Sequence, residues 1–115
     1  MNQFSNRVLK INSLLKKELG KIIFREVDFP EGALVTLTRA ETLANLSESK
    51  IYVSVVPEEK KEKVFEILNK EIFGIQQKLN KILKMRPVPK IIFKKETKTK
   101  KAAEIEQIIE KIKKR

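Results

Sequence analysis

The sequence predicts an α+β fold, in which a three-stranded sheet has helices packed on one face and a further helix follows at the C-terminus. Apolar residues recur at steps of three and four through two long segments, which is the period of a buried helix face. Short β-branched runs lie between these segments and after the second one, as in strands. The length of 115 residues is that of a single domain.

The first predicted helix spans residues 5–25, with Ser5 as its N-cap. Its apolar face is formed by residues at helical spacing, namely Phe4, Val8, Ile11, Leu15, Leu19 and Ile22. At about 100° per residue, the basic residues fall on a separate face, which comprises Arg7, Lys10, Lys17, Lys21 and Arg25. This helix therefore presents a positive stripe on the side away from the core.

Two strands are predicted after a turn that contains Pro30 and Gly32. The first covers residues 33–42, and the second covers residues 50–56. Strict alternation along the first strand would place Val35, Leu37 and Arg39 together on one face. Because the connection is short and polar, we expect the two strands to pair antiparallel.

The second helical pattern opens at Pro57, which suits the first turn of a helix, and continues to Leu83. Gly74 interrupts this pattern, and glycine costs about 1 kcal/mol relative to alanine inside a helix. We therefore expect a kink or a break between two helices at Gly74, where a backbone could approach closely. Four lysines project to the same side as Gly74: Lys70, Lys78, Lys81 and Lys84.

A third strand is predicted over residues 90–93, after a proline-containing segment that ends the second helix. A basic linker follows, and isoleucines at helical spacing, from Ile105 to Ile112, predict a final amphipathic helix. The expected organisation is a folded domain over residues 1–93 and a basic linker with a C-terminal helix over residues 94–115.

Charge is distributed unevenly along the chain, whose formal net charge is +11. Residues 26–62 carry eight acids and four bases, whereas the segments on either side are strongly basic. Basic ends around an acidic middle favour a positive surface that faces a polyanion. The alternative is a small basic protein whose lysines are simply solvated.

Composition excludes most enzyme classes. The chain contains no His and no Cys, and Asp28 is the single Asp, so the usual zinc, iron–sulfur, haem and cysteine-nucleophile chemistries are absent. We expect no cofactor and no catalysis. The apolar runs are far shorter than a membrane span, and the first residues lack a signal-peptide core. A cytoplasmic location without membrane contact is therefore expected.

Three stretches carry a resemblance to a known family. They are Arg7-Val8, the run from Asn45 to Ser54 (Asn-Leu-Ser-Glu-Ser-Lys-Ile-Tyr-Val-Ser), and Arg86-Pro87-Val88-Pro89 with Phe93. In this order and spacing they resemble the bacterial ribosome-binding factor A family over essentially the whole chain. The resemblance implies a type II KH-like fold in which the Ile72-Phe73-Gly74 triplet stands where the family has its Ala-x-Gly kink.

The resemblance also implies a function, which is assistance in late maturation of the 30S subunit and 16S rRNA processing, with a link to cold adaptation. The implied partners are the 30S subunit and 16S rRNA, and we expect a monomer when the protein is free. Docking to folded rRNA would rest on phosphate contacts. The candidate RNA-binding residues are Arg7, Lys10, Lys17, Lys21, Lys70, Gly74, Lys78, Lys81, Lys84 and Arg86.

Two other functions stay open on the sequence. The first is a stand-alone KH-type module for single-stranded RNA, with Gly74 in a base-clamping loop, although such a loop needs two glycines. The second is an enzyme with a nucleophilic lysine, although the sequence marks no lysine as buried. Most phenylalanines fall on predicted apolar faces, so we expect no aromatic platform for stacking bases.

Overall fold

A computed structural model describes residues 6–97, which fold into two long helices and one sheet. The elements in chain order are α1 (Asn6–Glu26), β1 (Leu34–Thr42), β2 (Glu48–Val56), a 3₁₀ turn (Glu58–Lys60), α2 (Lys61–Ile82) and β3 (Lys90–Lys95). The predicted α+β class is confirmed. The predicted N-cap Ser5 and the predicted C-terminal helix lie outside the described residues. Neither of the two helices is long and apolar enough to cross a membrane.

The sheet has the strand order β1-β2-β3. β1 and β2 pair antiparallel, as predicted, with Leu34 opposite Val56 and Thr42 opposite Ser49. β2 and β3 pair parallel, and α2 supplies the crossover that a parallel pair requires. β3 runs two residues further than predicted, to Lys95, and the amide of Glu96 still donates to the carbonyl of Val53 at 3.0 Å.

The core lies between the two helices and one face of the sheet. Alternate residues of β2 point into it, and Ser49, Ile51 and Val53 are completely buried. The helices contribute the fully buried Leu15 and Leu19 of α1 and Leu68 and Leu79 of α2. Burial of each such side chain contributes about 1.5–3 kcal/mol. The opposite face of the sheet has no helix over it within residues 6–97, so the helices form one layer and the sheet the other.

A β-bulge in β1 changes the faces that strict alternation predicts. The pairing with β2 shifts register between Leu37 and Arg39, so Thr38 is the extra residue and the side chains beyond it switch faces. Arg39 therefore lies on the open face beside Tyr52, and Ala40 is buried. The prediction that Arg39 shares a face with Val35 and Leu37 is wrong for this reason.

A break between two helices at Gly74 is also wrong, because α2 is one continuous helix from Lys61 to Ile82. Ile75 and Leu79 stay buried on the same side of the helix as Leu68, and this packing outweighs the weak helix propensity of one glycine. A Cβ added at Gly74 would meet no heavy atom within 4 Å, so no other part of the described chain approaches that position closely.

Polar side chains fix the helices against the sheet at two points. The Asn12 side-chain oxygen on α1 accepts hydrogen bonds from the Thr42 amide at 3.0 Å and from the Thr42 hydroxyl at 2.6 Å. The Thr42 hydroxyl also lies 3.0 Å from the Ser49 hydroxyl. On α2, Gln76 donates to the carbonyl of Pro89 at 3.1 Å and accepts from the amide of Ile91 at 2.9 Å. Each helix is therefore held at a defined position and rotation.

Candidate nucleic-acid interface

The basic stripe of α1 lies on the surface of the helix layer. Lys10, Lys17 and Lys21 are exposed and fall within about 40° of one another around the helix axis. Arg7 is also exposed, at the start of the helix. The Lys21 ammonium lies 4.0 Å from the Glu18 carboxylate one turn earlier, and the Lys21 side chain is itself 52% exposed, so it stays accessible to a phosphate. We call Lys10, Lys17 and Lys21 the α1 stripe.

The candidate residues on α2 are exposed as well. Lys70 and Lys81 lie within about 20° of each other around the helix axis, and Gly74 lies beside them. Lys78 is turned towards α1, where its ammonium lies 3.7 Å from the Glu26 carboxylate. We call Lys70 and Lys81 the α2 stripe, since Lys78 has a structural partner and these two have no ion pair among the described residues.

The last two candidates lie in the connection after α2. Lys84 and Arg86 are exposed. The Arg86 guanidinium donates to the carbonyl of Met85 at 2.8 Å and to that of Leu83 at 3.4 Å. Carbonyls near the end of a helix lack intrahelical partners, so Arg86 also stabilises the chain where α2 ends. The structure thus places all ten candidate residues at the surface, while their contact with RNA stays a prediction.

Two phenylalanines contradict the expectation that the aromatic residues are covered. Phe24 on α1 is 92% exposed, and Phe73 on α2 is 73% exposed. Phe65 and Phe93 are buried as expected. The signal was present in the sequence, because at about 100° per residue Phe24 falls within about 60° of the whole α1 stripe. Each helix therefore presents an exposed aromatic ring, and that of Phe24 lies beside the α1 stripe.

The open face of the sheet carries a second polar cluster, which the sequence did not indicate. The Arg39 guanidinium lies 3.6 Å from the centre of the Tyr52 ring, and its Nε donates to Glu96 at 3.0 Å. The Thr38 hydroxyl donates to the same Glu96 oxygen at 2.6 Å. Burial lowers the pKa of Arg39, but the hydrogen bond with Glu96 and the charges of Glu41 and Glu96 raise it above the ordinary arginine value.

These interactions give the open-face cluster a structural role. Its salt bridge joins β1 to the residue after β3, and the ring of Tyr52 on β2 lies between them. Within residues 6–97, no group of three or more carboxylates is placed to hold a metal ion. The positive charges that the sequence predicts to bind RNA lie instead on the helix layer and in the connection after α2.

Comparison with known proteins places the chain in a family. It matches the profile of ribosome-binding factor A over residues 7–109. It is 32% identical over 116 residues to ribosome-binding factor A of Caldanaerobacter subterraneus, a match that covers 99% of this chain and 95% of that protein. The chain belongs to the ribosome-binding factor A family. The resemblance predicted from the sequence is thereby confirmed.

Other members of the family show the same relationship. Ribosome-binding factor A of Akkermansia muciniphila is 31% identical over 108 residues, covering 94% of this chain and 86% of that protein. The solution structure of a Thermotoga maritima protein assigned to ribosome-binding factor A superposes with a TM-score of 0.63 at 29% identity, over 77% of this chain and 86% of that one.

The fold is shared more widely than the sequence. The crystal structure of ribosome-binding factor A from Thermus thermophilus superposes with a TM-score of 0.64 at 20% identity, over 76% of this chain and 93% of that one. At this identity the likeness concerns the fold alone. The family is one of ribosome-binding factors, and this property, rather than catalysis, is what the membership supports.

Proposed function

We propose that this member of the ribosome-binding factor A family binds the small ribosomal subunit, contacts its 16S rRNA, and assists late maturation of that RNA without catalysing a reaction. The observation that supports the proposal is the exposure of the α1 and α2 stripes on two helices that form one layer. The fold presents these charges on rigid elements, so a folded RNA surface can meet several of them at once. Binding would then require little ordering of the protein.

The chemistry of the stripes suits phosphate rather than base recognition. Lysine is a flexible point charge that donates hydrogen bonds in several directions, and phosphate contacts position a protein without reading sequence. Recognition of a unique ribosomal site would then come from the shape of the folded RNA. Assistance in maturation follows if the bound protein stabilises one folded arrangement of the RNA over its alternatives.

The alternative function, a stand-alone module for single-stranded RNA, depends on a base-clamping loop around Gly74. Gly74 lies inside α2, four turns from its start, and the helix continues for two more turns. A position in the middle of a helix has its backbone groups hydrogen-bonded within the helix. They are therefore not available to clamp a strand, which weakens this alternative.

Co-sedimentation with purified ribosomal subunits tests the proposed partner. We expect the protein to sediment with the small subunit and not with the large one. The double variant Lys10→Glu, Lys17→Glu should bind the small subunit at least tenfold more weakly. The matched control is Lys90→Glu, Lys94→Glu, which changes net charge equally on β3 and should bind normally. Equal loss from both variants would show that total charge, and not the helix layer, determines binding.

Cells that lack the protein test the proposed role in maturation. We expect them to accumulate small subunits that contain unprocessed 16S rRNA. The unchanged protein and the Lys90→Glu, Lys94→Glu variant should restore processing, whereas the Lys10→Glu, Lys17→Glu variant should not. Normal 16S rRNA ends in the depleted cells would overturn the maturation role while leaving the binding result intact.

A further inference from the structure

Phe24 occupies an unusual position for a large apolar side chain. It lies in the last turn of α1, three residues after Lys21 and seven after Lys17. With 92% of its surface exposed, it has the greatest exposure of any large hydrophobic side chain among the described residues. An isolated exposed leucine or valine needs no explanation, but an uncovered aromatic ring inside a lysine stripe suggests a ligand that uses both groups.

The local structure leaves the ring of Phe24 uncovered. Side chains on a helix point towards its N-terminus, over the residues three and four positions earlier. Four positions before Phe24 is Gly20, which has no side chain, and a Cβ added there would meet no heavy atom within 4 Å. The ring and the surface beside it are therefore open to a flat ligand.

We propose that Phe24 is a stacking platform for an unpaired RNA base, whose flanking phosphates are bound by Lys17 and Lys21. Bases stack on aromatic side chains wherever RNA leaves its double-helical form. Both lysines lie on the N-terminal side of Phe24, about 10 Å and about 4–5 Å from it along the helix axis, so their ammonium groups can reach successive phosphates of the strand on one side of the base. This inference rests on the proposed function in one respect, which is that the ligand is RNA.

The charge around Phe24 favours RNA over an apolar protein partner. The core of a protein–protein interface is depleted in charged residues, whereas Phe24 is followed by Arg25 and lies within two turns of Lys17 and Lys21. Removal of these lysines from water against an apolar surface would be unfavourable. Their attraction to phosphate, by contrast, strengthens as a strand approaches. The exposed ring and the neighbouring lysines together favour a ligand that is both aromatic and anionic.

The test is a substitution series at Phe24 that separates stacking from simple apolar contact. Phe24→Trp keeps a flat ring, Phe24→Leu keeps apolar volume without a ring, and Phe24→Ala removes both. All three replacements suit a helix at least as well as phenylalanine does. Because Phe24 is exposed, none of them removes a contact from the core. Leu34→Ala, at an exposed leucine on β1, is the control for loss of apolar surface elsewhere.

Affinity for purified small subunits is measured for each variant. We expect Phe24→Trp and Leu34→Ala to bind as tightly as the unchanged protein, and Phe24→Leu and Phe24→Ala to bind more weakly, by roughly five- to a hundredfold. Equal affinity of the Phe24→Leu variant would overturn the proposal in favour of an apolar protein contact. Unchanged affinity of the Phe24→Ala variant would show that the ring contacts no part of the small subunit, which would also overturn the proposal.

A fluorescence measurement tests stacking without the ribosome. The chain contains no tryptophan, so the Phe24→Trp variant has a single tryptophan emission. We expect oligoadenylate to quench this emission, and an abasic ribose-phosphate strand of equal length to leave it unchanged while still binding through its phosphates.

If the protein bound no ribosomal subunit, the proposed function would fail and quenching by oligoadenylate would still support stacking. If it bound the small subunit without any quenching of the Phe24→Trp emission by subunit or oligoadenylate, the stacking proposal alone would fail.

Discussion

Lys78 on α2 and Glu26 at the end of α1 hold their charged groups 3.7 Å apart. One of the lysines predicted to bind RNA therefore also joins the two helices. Both side chains are about half exposed, so the pair contributes at most about 1 kcal/mol. The Lys78→Glu substitution would nevertheless place a second carboxylate beside that of Glu26. Such a variant would therefore combine an effect on folding with an effect on binding.

A cleaner charge reversal uses the α2 stripe, Lys70→Glu with Lys81→Glu. We expect this pair to weaken binding to the small subunit more than the pair Lys113→Glu with Lys114→Glu, although both change net charge equally. The reason is that α2 presents Lys70 and Lys81 in one fixed geometry, so little ordering entropy opposes their contacts. Binding isotherms at one salt concentration measure the difference, with circular dichroism as the control for folding. A larger loss from the C-terminal pair would place the RNA contact outside residues 6–97.

Salt should weaken binding in a defined way. If lysines of both stripes neutralise phosphates, the logarithm of affinity should fall linearly with the logarithm of salt concentration, by about 0.7–0.9 per phosphate contacted. The Lys70→Glu, Lys81→Glu variant should show a slope smaller by roughly two such contacts. A salt series with purified small subunits measures both slopes. A flat response of the unchanged protein would mean that apolar or protein contacts dominate.

Gly74→Ala should stabilise the protein. Gly74 lies in regular helix with open space around its Cβ position, so alanine gains about 1 kcal/mol in helix propensity. Gly32→Ala is the opposing control, because Gly32 has a φ of +85°, which alanine adopts only with strain. Urea unfolding should therefore show Gly74→Ala above and Gly32→Ala below the unchanged protein. A destabilised Gly74→Ala variant would instead indicate a kink at Gly74.

Glu96 should matter more for stability than its place at the end of the sheet suggests. Its side chain is 4% exposed and accepts hydrogen bonds from Thr38 and Arg39. Glu96→Ala leaves Arg39 without this partner and should lower the free energy of unfolding by about 1.5–3 kcal/mol. Glu41→Ala removes a half-exposed carboxylate that also pairs with Arg39 and should lower it by at most about 1 kcal/mol. Equal losses would argue that Glu96 is as well solvated as Glu41.

The helices and strands could be predicted from the sequence because apolar periodicity records which face is buried. Leu15, Leu19 and Leu79 are completely buried where the pattern placed them. The bulge at Thr38 could not be predicted, because one extra residue is visible only in the pairing with β2. The break predicted at Gly74 is absent because helix propensity concerns one residue, whereas the packing of a long helix involves many.

The candidate site was predictable only in part. Angular position on a helix identifies which lysines share a stripe, and the same count would have placed Phe24 beside them. The partner of Lys78 could not be found in this way, because Glu26 lies on another helix and is brought near by the fold. The same holds for Arg39 and Glu96, which are far apart in sequence and meet only across the folded sheet.

The hydrogen bonds of Asn12 to Thr42 have an effect at a distance from the core. They fix the azimuth of α1, that is, its rotation about its own axis relative to β1. The outward direction of the α1 stripe and of Phe24 depends on that azimuth, since a helix turns as a unit. A substitution at Asn12 would therefore change the direction in which the α1 stripe and Phe24 face, although none of those residues is itself altered. Selection for ligand geometry in this protein would then act on a polar side chain that the ligand never touches.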